Sequence, residues 1–377
     1  MKHYDLAVLG GGLAGLSALY HLQLAGKLDG RKVLLADPLK KEGNDRTWSF
    51  WEREAGPFED IVSQRWDRID LYGDDVHFSR APAPYTYKLI RSADFYAKTQ
   101  SVIEQIPGLD RVHAAATQVT NHGDRATFDL AGETVSADLV YSSVPHPVDH
   151  RKIKQPYLDQ HFRGWYVGTE EDTFDPGMAT IMDFRTPQLG ETRFFYVLPF
   201  SPRRAVVEIA IFSNRHLRTE DYDSLLDEYI RLRWTREKYR IEHTEAGNIP
   251  MTTFPFPRRD GRILYIGTGG GDTRPSTGYT FYGVQRMMAH LAAHYPKLPD
   301  MTPWPRRHLL YDATLLRILQ DRKLAGDRVF LDLFRNNPTE RVFAFLNGES
   351  TLAQEVALMS SVPVGTFAST FVGELVR

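Results

Sequence analysis

Asp5–Gly15, DLAVLGGGLAG, is the stretch that decides the fold of this chain. Its apolar run LAVL fits a buried parallel strand, and Gly10, Gly12 and Gly15 follow in the spacing G-x-G-x-x-G. The next residues favour a helix, and a second apolar run, KVLLA, then ends at Asp37. In this order the glycines let a dinucleotide pyrophosphate approach the backbone at a helix N-terminus, and Asp37 accepts hydrogen bonds from ribose hydroxyls. The stretch therefore predicts a Rossmann-like dinucleotide-binding domain.

A second glycine-rich turn lies late in the chain, where the strand-like run RILYI leads into Gly267–Asp272, GTGGGD. Thr273–Phe281, TRPSTGYTF, then leads into a predicted helix over Tyr282–Tyr295. A late turn of this kind is typical of proteins that hold the ribityl–phosphate part of FAD, and the helix N-terminus favours a reduced, anionic flavin. NAD dehydrogenases do not need this second site, so the two turns together predict FAD. The residues predicted to contact FAD in this part are Gly267, Gly269, Gly270, Asp272 and Gly278.

One acid stands inside an apolar strand. Arg193–Ser213, RFFYVLPFSPRRAVVEIAIFS, predicts two strands joined by a turn at residues 201–204, with Glu208 in the second strand. Alternation along that strand places Glu208 on one face with Val206, Ala210 and Phe212. Such neighbours disfavour the charged carboxylate and raise its pKa, and a protonated carboxylic acid facing an apolar cavity can protonate a hydrocarbon double bond. The alternative is an ion pair between Glu208 and Arg203 or Arg193.

Composition excludes several classes of function. The 377 residues carry 46 basic and 48 acidic side chains, so charge gives no argument for nucleic-acid binding. The absence of cysteine excludes disulfides, thiolate nucleophiles and iron–sulfur ligation. His146 and His150 have no third ligand in register, so no metal site is predicted. We also expect neither a targeting segment nor a membrane-spanning helix, because the chain enters its first strand directly and no apolar stretch is long enough.

The predicted fold class is α/β (α+β), with a Rossmann-like FAD-binding domain, a substrate domain rich in β-sheet, and a helical C-terminal region. The FAD-binding domain is predicted to be discontinuous, over residues 1–75, 110–150 and 262–300; the substrate domain covers 76–109 and 151–261, and the helical region covers 301–377. Leucine and phenylalanine stripes in the helical region predict packing against a core, with membrane docking as the alternative. Thr351 and Gln354 have the spacing of a capping box.

Six motifs occur in an order that resembles the FAD-dependent lycopene cyclases of bacteria and plants. They are the N-terminal glycine motif, GNDRTWSF (43–50), FFYVLPF (194–200), the Glu208 strand, the 267–281 turn, and VFAFLNGE (342–349). The resemblance implies that lycopene and related carotenoids are the substrates and that FAD must be reduced although the reaction has no net redox change. It implies that Glu208 donates the proton and that NAD(P)H acts as an indirect reductant. It also implies a cytoplasmic protein attached peripherally to the inner face of the membrane.

The reaction implied by the resemblance is cyclisation of the acyclic ψ end groups of lycopene to β rings, giving γ- and β-carotene. A long polyene binds by burial of apolar surface, worth about 25 cal/mol per Å², so we expect a tunnel lined by aromatic side chains. The residues predicted to line it are Trp48, Trp165, Phe194 and Tyr196. Arg46 and Arg274 lie beside the flavin-associated motifs and are predicted to contact phosphate or the reduced ring, with a surface position as the alternative.

One departure from the family pattern concerns the residues after Glu208. Members often carry a second acid there, whereas this chain has Ile209 and Ala210. We therefore expect Glu208 to depend on burial and on the flavin for its acidity. Two other functions stay open: a flavin-dependent monooxygenase or polyprenyl reductase, which consumes NAD(P)H at every turnover, and a carotenoid-binding flavoprotein without catalysis, in which Glu208 is dispensable.

Overall fold

The structure is a computed structural model, and it describes residues 1–145, 148–149, 151–299 and 303–377. The two histidines for which no metal site was predicted, His146 and His150, lie outside these residues. Within them, no group of three or more His, Cys, Asp or Glu side chains is placed to hold a metal ion. No helix in the described part of the chain is long and apolar enough to cross a membrane.

The strands and helices of the described residues are numbered in chain order. The strands are β1 (His3–Leu9), β2 (Val33–Ala36), β3 (Thr47–Glu52), β4 (Gln64–Trp66), β5 (Ile69–Gly73), β6 (Val76–Arg80), β7 (Thr86–Arg91), β8 (Leu109–Val112), β9 (Ala116–Asn121), β10 (Ala126–Leu130), β11 (Glu133–Ser142), β12 (Tyr157–Thr169), β13 (Ala179–Asp183), β14 (Thr192–Ser201), β15 (Arg204–Phe212), β16 (Tyr239–Thr252), β17 (Arg259–Asp260) and β18 (Ile263–Tyr265). The helices are α1 (Leu13–Leu24), α2 (Ser92–Ile103), α3 (Thr219–Arg233), α4 (Phe281–His294), α5 (Arg306–Gln320), α6 (Gly326–Arg335), α7 (Thr339–Leu346), α8 (Leu352–Met359) and α9 (Val364–Leu375).

The first sheet is built around β1, the strand of the N-terminal glycine motif. Its central path runs β17-β18-β11-β1-β2-β8, and β9 and β10 extend it from β11. The strands β18, β11, β1, β2 and β8 are parallel to one another, and Leu6–Leu9 of β1 are fully buried. Helices α1 and α4 pack together in the apolar core on one face of the sheet. This is the predicted Rossmann-like architecture, and it brings both glycine-rich turns to the carboxyl ends of parallel strands.

The second sheet is largely antiparallel, in the order β16-β12-β15-β14-β13-β5-β6. One face packs on α3 through an apolar cluster that includes Val207, Ile209 and Leu226. The other face carries Val206, Ala210 and Phe212 and packs in part on α5 to α8. The predicted hairpin of β14 and β15 is therefore confirmed, and so is the face assignment of its residues. A smaller third sheet, β3-β7-β4, lies among the described residues as well.

The helical C-terminal region packs where the sequence predicts a core. Leu316 and Leu319 of α5 and Phe330 and Phe334 of α6 are buried against the second sheet. The capping box at the start of α8 is confirmed, because Thr351 Oγ1 accepts the Gln354 N–H at 3.3 Å and Gln354 Oε1 accepts the Thr351 N–H at 2.9 Å.

Sheet membership and packing differ from the predicted domain boundaries at several elements. Strand β17 falls within the predicted substrate segment 151–261, but it pairs with β18 in the first sheet. Strand β5 falls within the predicted FAD-binding segment 1–75, but it pairs with β13 in the second sheet. Helix α2 falls within the predicted substrate segment 76–109, but it packs on α1. The sequences of these elements do not indicate which core they join, because that depends on pairing and packing with residues far away in the chain. The division into an FAD-binding and a substrate domain remains a prediction.

Candidate active site

The first glycine turn leaves open space in front of helix α1. Gly10 has φ +101°, and a Cβ on Gly15 would lie 1.9 Å from the Gly10 carbonyl oxygen, so only glycine lets the helix approach the strand this closely. A Cβ on Gly12 would meet nothing within 4 Å. No side chain caps the N-terminus of α1. The free N–H groups of the first turn therefore face a space that a phosphate group can enter.

Asp37 stiffens this turn. Its Oδ2 accepts the Gly11 N–H at 2.6 Å, and its Oδ1 accepts the Leu39 N–H at 2.7 Å. Both carboxylate oxygens thus already hold backbone donors, and each keeps a further lone pair. The contact between Asp37 and a ribose remains a prediction.

The second glycine turn is closed by a buried acid. Gly267 has φ +67°, and Asp272 Oδ2 accepts its N–H at 2.5 Å while Asp272 Oδ1 accepts from Arg258 at 2.8 Å. Burial raises the pKa of Asp272, an effect that the Arg258 guanidinium and the Gly267 N–H partly offset. Asp272 is fully buried and shapes the turn from within. Gly270 is tightly placed as well, because a Cβ there would lie 2.2 Å from the Tyr265 carbonyl oxygen.

Close packing also explains why glycine is required at the other two positions of the second turn, Gly269 and Gly278. A Cβ on Gly269 would lie 3.0 Å from the Val144 carbonyl oxygen. Gly278 has φ +73°, and a Cβ there would lie 2.3 Å from Gln160 Oε1. Gln160 is buried, and this oxygen has no hydrogen-bond partner in the described part of the chain. An unsatisfied buried acceptor beside the turn indicates that the site is built for a polar group that the chain itself does not supply.

A single cavity joins the two turns to the second sheet. Its volume is about 390 Å³, within the ordinary range of ligand sites. The glycine turns contribute Gly12, Leu13, Thr268 and Gly278, and the last two residues before α4 are Tyr279 and Thr280, which line the cavity as well. The apolar wall consists of Trp48, Phe162, Leu198, Val206, Ile249 and Phe281. The cavity therefore combines a phosphate-accepting end with an apolar, aromatic end.

Glu208 lies in the wall of this cavity. Burial raises the pKa of its carboxyl well above the usual value, and the charge of Glu245 raises it further. The ion pairs considered from the sequence do not form: Arg203 pairs with Asp172 at 2.7 Å, and Arg193 pairs with Glu191 at 2.6 Å. Neither arginine considered from the sequence pairs with Glu208, and burial favours the protonated form of its carboxyl.

Three tyrosines surround this carboxyl. Tyr196 lies directly opposite Glu208 in the β14–β15 pairing. The hydroxyls of Tyr87 and Tyr279 are 3.1 Å apart, and Tyr279 also bonds to Tyr196. Burial raises the pKa of all three phenols well above the usual value near 10, with a smaller contribution from the Glu208 charge. Burial therefore favours the neutral form of these three groups, which bring aromatic rings and hydroxyls close to Glu208.

A second acid, Glu245, lies close to Glu208 on the same face of the sheet. Gly164 of β12 pairs with Glu208 on one side and with Glu245 of β16 on the other. A Cβ on Gly164 would lie 3.3 Å from Glu208 Oε2 and 3.3 Å from Glu245 Cγ, so both side chains lean over this glycine. Burial raises the pKa of Glu245 to about 7, although hydrogen bonds from Thr47 and the Arg46 charge act to lower it. The acid that the family pattern places directly after Glu208 is missing, but Glu245 brings a second carboxyl to Glu208 from strand β16.

The four residues predicted to line a substrate tunnel divide in three ways. Trp48 and Tyr196 line the cavity. Phe194 is on the same face, but it is fully buried behind Tyr196, with ring centroids 5.2 Å apart. Trp165 is on the opposite face: it pairs with Val207, belongs to the cluster against α3, and donates its indole N–H to Asp223 at 3.1 Å. The prediction that Trp165 lines the tunnel is thus wrong for this cavity.

The two arginines beside the flavin motifs also differ. Arg46 lines the cavity and its guanidinium donates to the Asp45 carbonyl at 2.7 Å, so it is placed to meet a ligand. Arg274 is 1% exposed and its Nε lies 3.0 Å from Asp312 Oδ2, so neither a flavin contact nor a surface position applies. Arg274 instead belongs to the turn before α4, where its backbone N–H donates to the Tyr279 carbonyl at 3.0 Å.

Sequence analysis missed Glu245, Tyr87 and Tyr279 as members of the site. The stretch HTEAGNIPM of β16 alternates His243, Glu245, Gly247 and Ile249 on one side, which is a weak strand signal. Tyr279 stands within the quoted motif TRPSTGYTF, but only the fold brings it to Glu208. These three residues come from different sheets and loops, so no local pattern links them.

The residues of the cavity fit an FAD molecule. Open space at Gly12, free N–H groups at the start of α1 and the unsatisfied Gln160 oxygen provide room for phosphates and a partner for a polar ring. FAD, when bound, would supply a polarisable ring whose reduced form carries negative charge.

We expect Gly12→Val to reduce FAD affinity at least about tenfold, roughly 1.4 kcal/mol, because the new side chain occupies the space in front of α1. Stability should change little, since Gly12 has extended backbone angles and nothing lies within 4 Å of a Cβ. Titration of the apoprotein with FAD, followed by flavin fluorescence, measures this. Gly373→Ala is the control, because a Cβ at Gly373 in α9 also meets nothing. Equal FAD affinity in Gly12→Val and the parent would place the phosphates elsewhere.

The chain is similar to known proteins over nearly its whole length. The family described as lycopene cyclase protein matches residues 5–371. The chloroplastic lycopene beta cyclase of an Oncidium hybrid cultivar is 27% identical over 317 residues, which is 78% of this chain and 63% of that protein. The chloroplastic lycopene beta cyclase of Solanum lycopersicum is 27% identical over 294 residues, 73% of this chain and 57% of that protein. The chain therefore spans about three-fifths of the length of these curated relatives.

Solved structures share the fold at low sequence identity. A geranylgeranyl bacteriochlorophyll reductase-like protein from Thermoplasma acidophilum has a TM-score of 0.65 at 13% identity, over 98% of both chains. A flavoprotein/dehydrogenase from Cytophaga hutchinsonii has a TM-score of 0.66 at 13% identity, over 99% of this chain and 100% of that one. At such identities the likeness shows that the fold is shared, and no more.

Proposed function

The chain belongs to the lycopene cyclase family, and from this premise we propose that it is a lycopene β-cyclase. In the proposed reaction the acyclic ψ end groups of lycopene close to β rings, giving γ- and then β-carotene, with FAD bound in reduced form and no net redox change. The observation that carries the proposal is the place of Glu208: its carboxyl is buried, which raises its pKa, in the wall of an aromatic, apolar cavity that also contains both glycine turns. A hydroxylase or reductase site has no need of such an acid.

The apolar wall would bind and orient the polyene. Phe162, Leu198 and Ile249 offer only hydrocarbon surface, which matches a substrate without polar groups. Burial of its end group is favourable by about 25 cal/mol per Å² of apolar surface removed from water. Binding would also exclude water from the carbocation, which water would otherwise capture.

Glu208 would start the reaction as general acid. Its O–H bond breaks and the proton goes to C2 of the end group, leaving a cation at C1. Attack of the C5–C6 double bond on C1 closes the ring, and loss of the proton at C6 gives the β ring. Tyr87, Tyr196 and Tyr279 lie near Glu208, and aromatic rings can stabilise positive charge that develops there. Reduced FAD at the glycine turns would add negative charge near the same cation.

The number of NAD(P)H molecules consumed for each product molecule formed tests the proposed function. Purified protein loaded with FAD is given lycopene in lipid vesicles, and carotenoids and NAD(P)H are both quantified. A cyclase needs NAD(P)H only to reduce the flavin once, so many product molecules should form for each NAD(P)H consumed. One NAD(P)H per product, or an oxygenated or hydrogenated product, would instead identify a monooxygenase or a polyprenyl reductase.

Peripheral attachment to the cytoplasmic face of the inner membrane is part of the proposal, because lycopene dissolves in lipid. Several exposed apolar side chains on α8 and α9 support it: Leu352, Val356, Val364, Val372 and Leu375. In a flotation experiment we expect the protein to rise with lipid vesicles and the Leu352→Glu/Val356→Glu variant to rise less. Equal flotation of the two proteins would contradict attachment through this surface.

A further inference from the structure

Glu208 on β15 and Glu245 on β16 form a pair of acids on either side of strand β12. The pairing of β12 with both neighbours is continuous at this point, so Gly164 stands between the two acids in one row across the sheet. Because glycine has no side chain, both acids extend into the space above it. Glu245 is 7% exposed, and both acids line the same cavity.

Two carboxylates at such a place cannot both be charged without a large cost, since little water reaches them. The stable form of the pair therefore holds one proton. The surroundings decide which acid holds it. Thr47 bonds to Glu245, and the Arg46 charge lies on its side, so the negative charge belongs on Glu245. On the side of Glu208 the facing groups are the phenols of Tyr87, Tyr196 and Tyr279, which carry no charge at neutral pH.

We propose that Glu245 is a positioning residue that shares one proton with Glu208 and so keeps Glu208 protonated and ready to donate. This inference rests on the proposed role of Glu208 as general acid. In a turnover the Glu208 O–H bond breaks and the proton joins C2; the proton released from C6 then returns to the two carboxylates. The pair regains its single proton, so no external acid or reductant is consumed.

The sign of the pH effect follows from this arrangement. With a negative charge on Glu245, Glu208 keeps its proton to higher pH, and activity is lost only when pH rises through the pKa of Glu208. Glu245→Gln removes that charge, so Glu208 should lose its proton at lower pH. Asp45 adds a negative charge on the side of Glu245 and Arg46 a positive one, and neither changes in this variant.

Infrared difference spectroscopy of the FAD-loaded protein tests the inference directly, because the C=O stretch of a protonated carboxyl disappears on ionisation. The band lost in Glu208→Gln identifies Glu208. The midpoint is the pH at which half of this band has disappeared. We expect it to be lower by about one pH unit or more in Glu245→Gln, and the basic limb of the pH–rate profile to move to lower pH with it. Glu245→Asp should keep the parental midpoint, since the charge is retained.

Two further variants keep the test decisive. Gly164→Ala should lower the Glu208 midpoint as well, because its methyl group pushes the acids apart, whereas Gly168→Ala on the same face of β12 meets only the flexible ends of Glu242 and Arg240 and should not. An unchanged midpoint in both Glu245→Gln and Gly164→Ala overturns the inference. A shifted midpoint in a protein that forms no cyclic carotenoid at any pH would support the shared proton and reject the proposed function.

Discussion

Replacing Glu208 with Gln is expected to reduce lycopene cyclisation by about 10² to 10⁴-fold, the usual contribution of a general acid. Gln has the shape of a protonated Glu but no acidic proton. Because burial favours the neutral form of Glu208, we expect the substitution to remove little charge from the folded protein. We therefore expect FAD binding and thermal stability at neutral pH to remain close to those of the parent. Product formation is measured by chromatography of carotenoids from the purified proteins.

Glu242→Gln is the matched control for this variant. Glu242 is on strand β16, as Glu245 is, and leans over Gly168 as Glu245 leans over Gly164. However, Arg204 and Arg240 hold it in ion pairs outside the cavity, and they lower the pKa of its carboxyl. Its activity should equal that of the parent. If Glu208→Gln retained parental activity, the carotenoid-binding flavoprotein without catalysis would become the better account.

Arg274→Met is expected to destabilise the protein by about 3–5 kcal/mol, since it leaves the Asp312 carboxylate buried without its partner. Arg274 and Asp312 are each 1% exposed, and Ser276 also donates to Asp312 at 2.7 Å. This ion pair ties the turn before α4 to α5, and the same turn carries Tyr279 into the cavity. Chemical unfolding followed by circular dichroism measures the loss.

A double variant separates the lost ion pair from lost packing. Arg274→Met/Asp312→Leu removes both charges, so it should recover part of the stability that Arg274→Met loses. Arg218→Met is the control, because Arg218 pairs with Asp221 on the surface and such pairs contribute at most about 1 kcal/mol. A loss in Arg274→Met no larger than that in Arg218→Met would show that the buried pair does not hold this turn.

Local patterns were sufficient for much of the fold and for part of the site. The glycine turns, the Glu208 hairpin and the helix stripes each depend on residues close together in sequence, and their structures follow from alternation, periodicity and turn chemistry. Trp165 shows the limit of such patterns. Its strand has apolar residues on both faces, and only the pairing with β15 places Trp165 opposite Val207 and away from Glu208.

Glu245 and Arg274 show the same limit in two other ways. Glu245 reaches Glu208 because β12 lies between β15 and β16, an order in the sheet that no local signal specifies. Arg274 follows a glycine-rich turn, where a charged residue ordinarily meets solvent or ligand. Its partner Asp312 comes from a helix 38 residues later, so its burial depends on how the C-terminal helices pack.

Pigment analysis of cells tests directly whether this chain cyclises lycopene and whether it needs Glu208 to do so. A bacterium that accumulates lycopene is made to express this chain, and its carotenoids are separated by chromatography. The account predicts that lycopene is converted to γ- and β-carotene by the parent chain and stays unchanged with Glu208→Gln. Unchanged lycopene in cells that contain folded, FAD-loaded parent protein would contradict the cyclase function for this substrate.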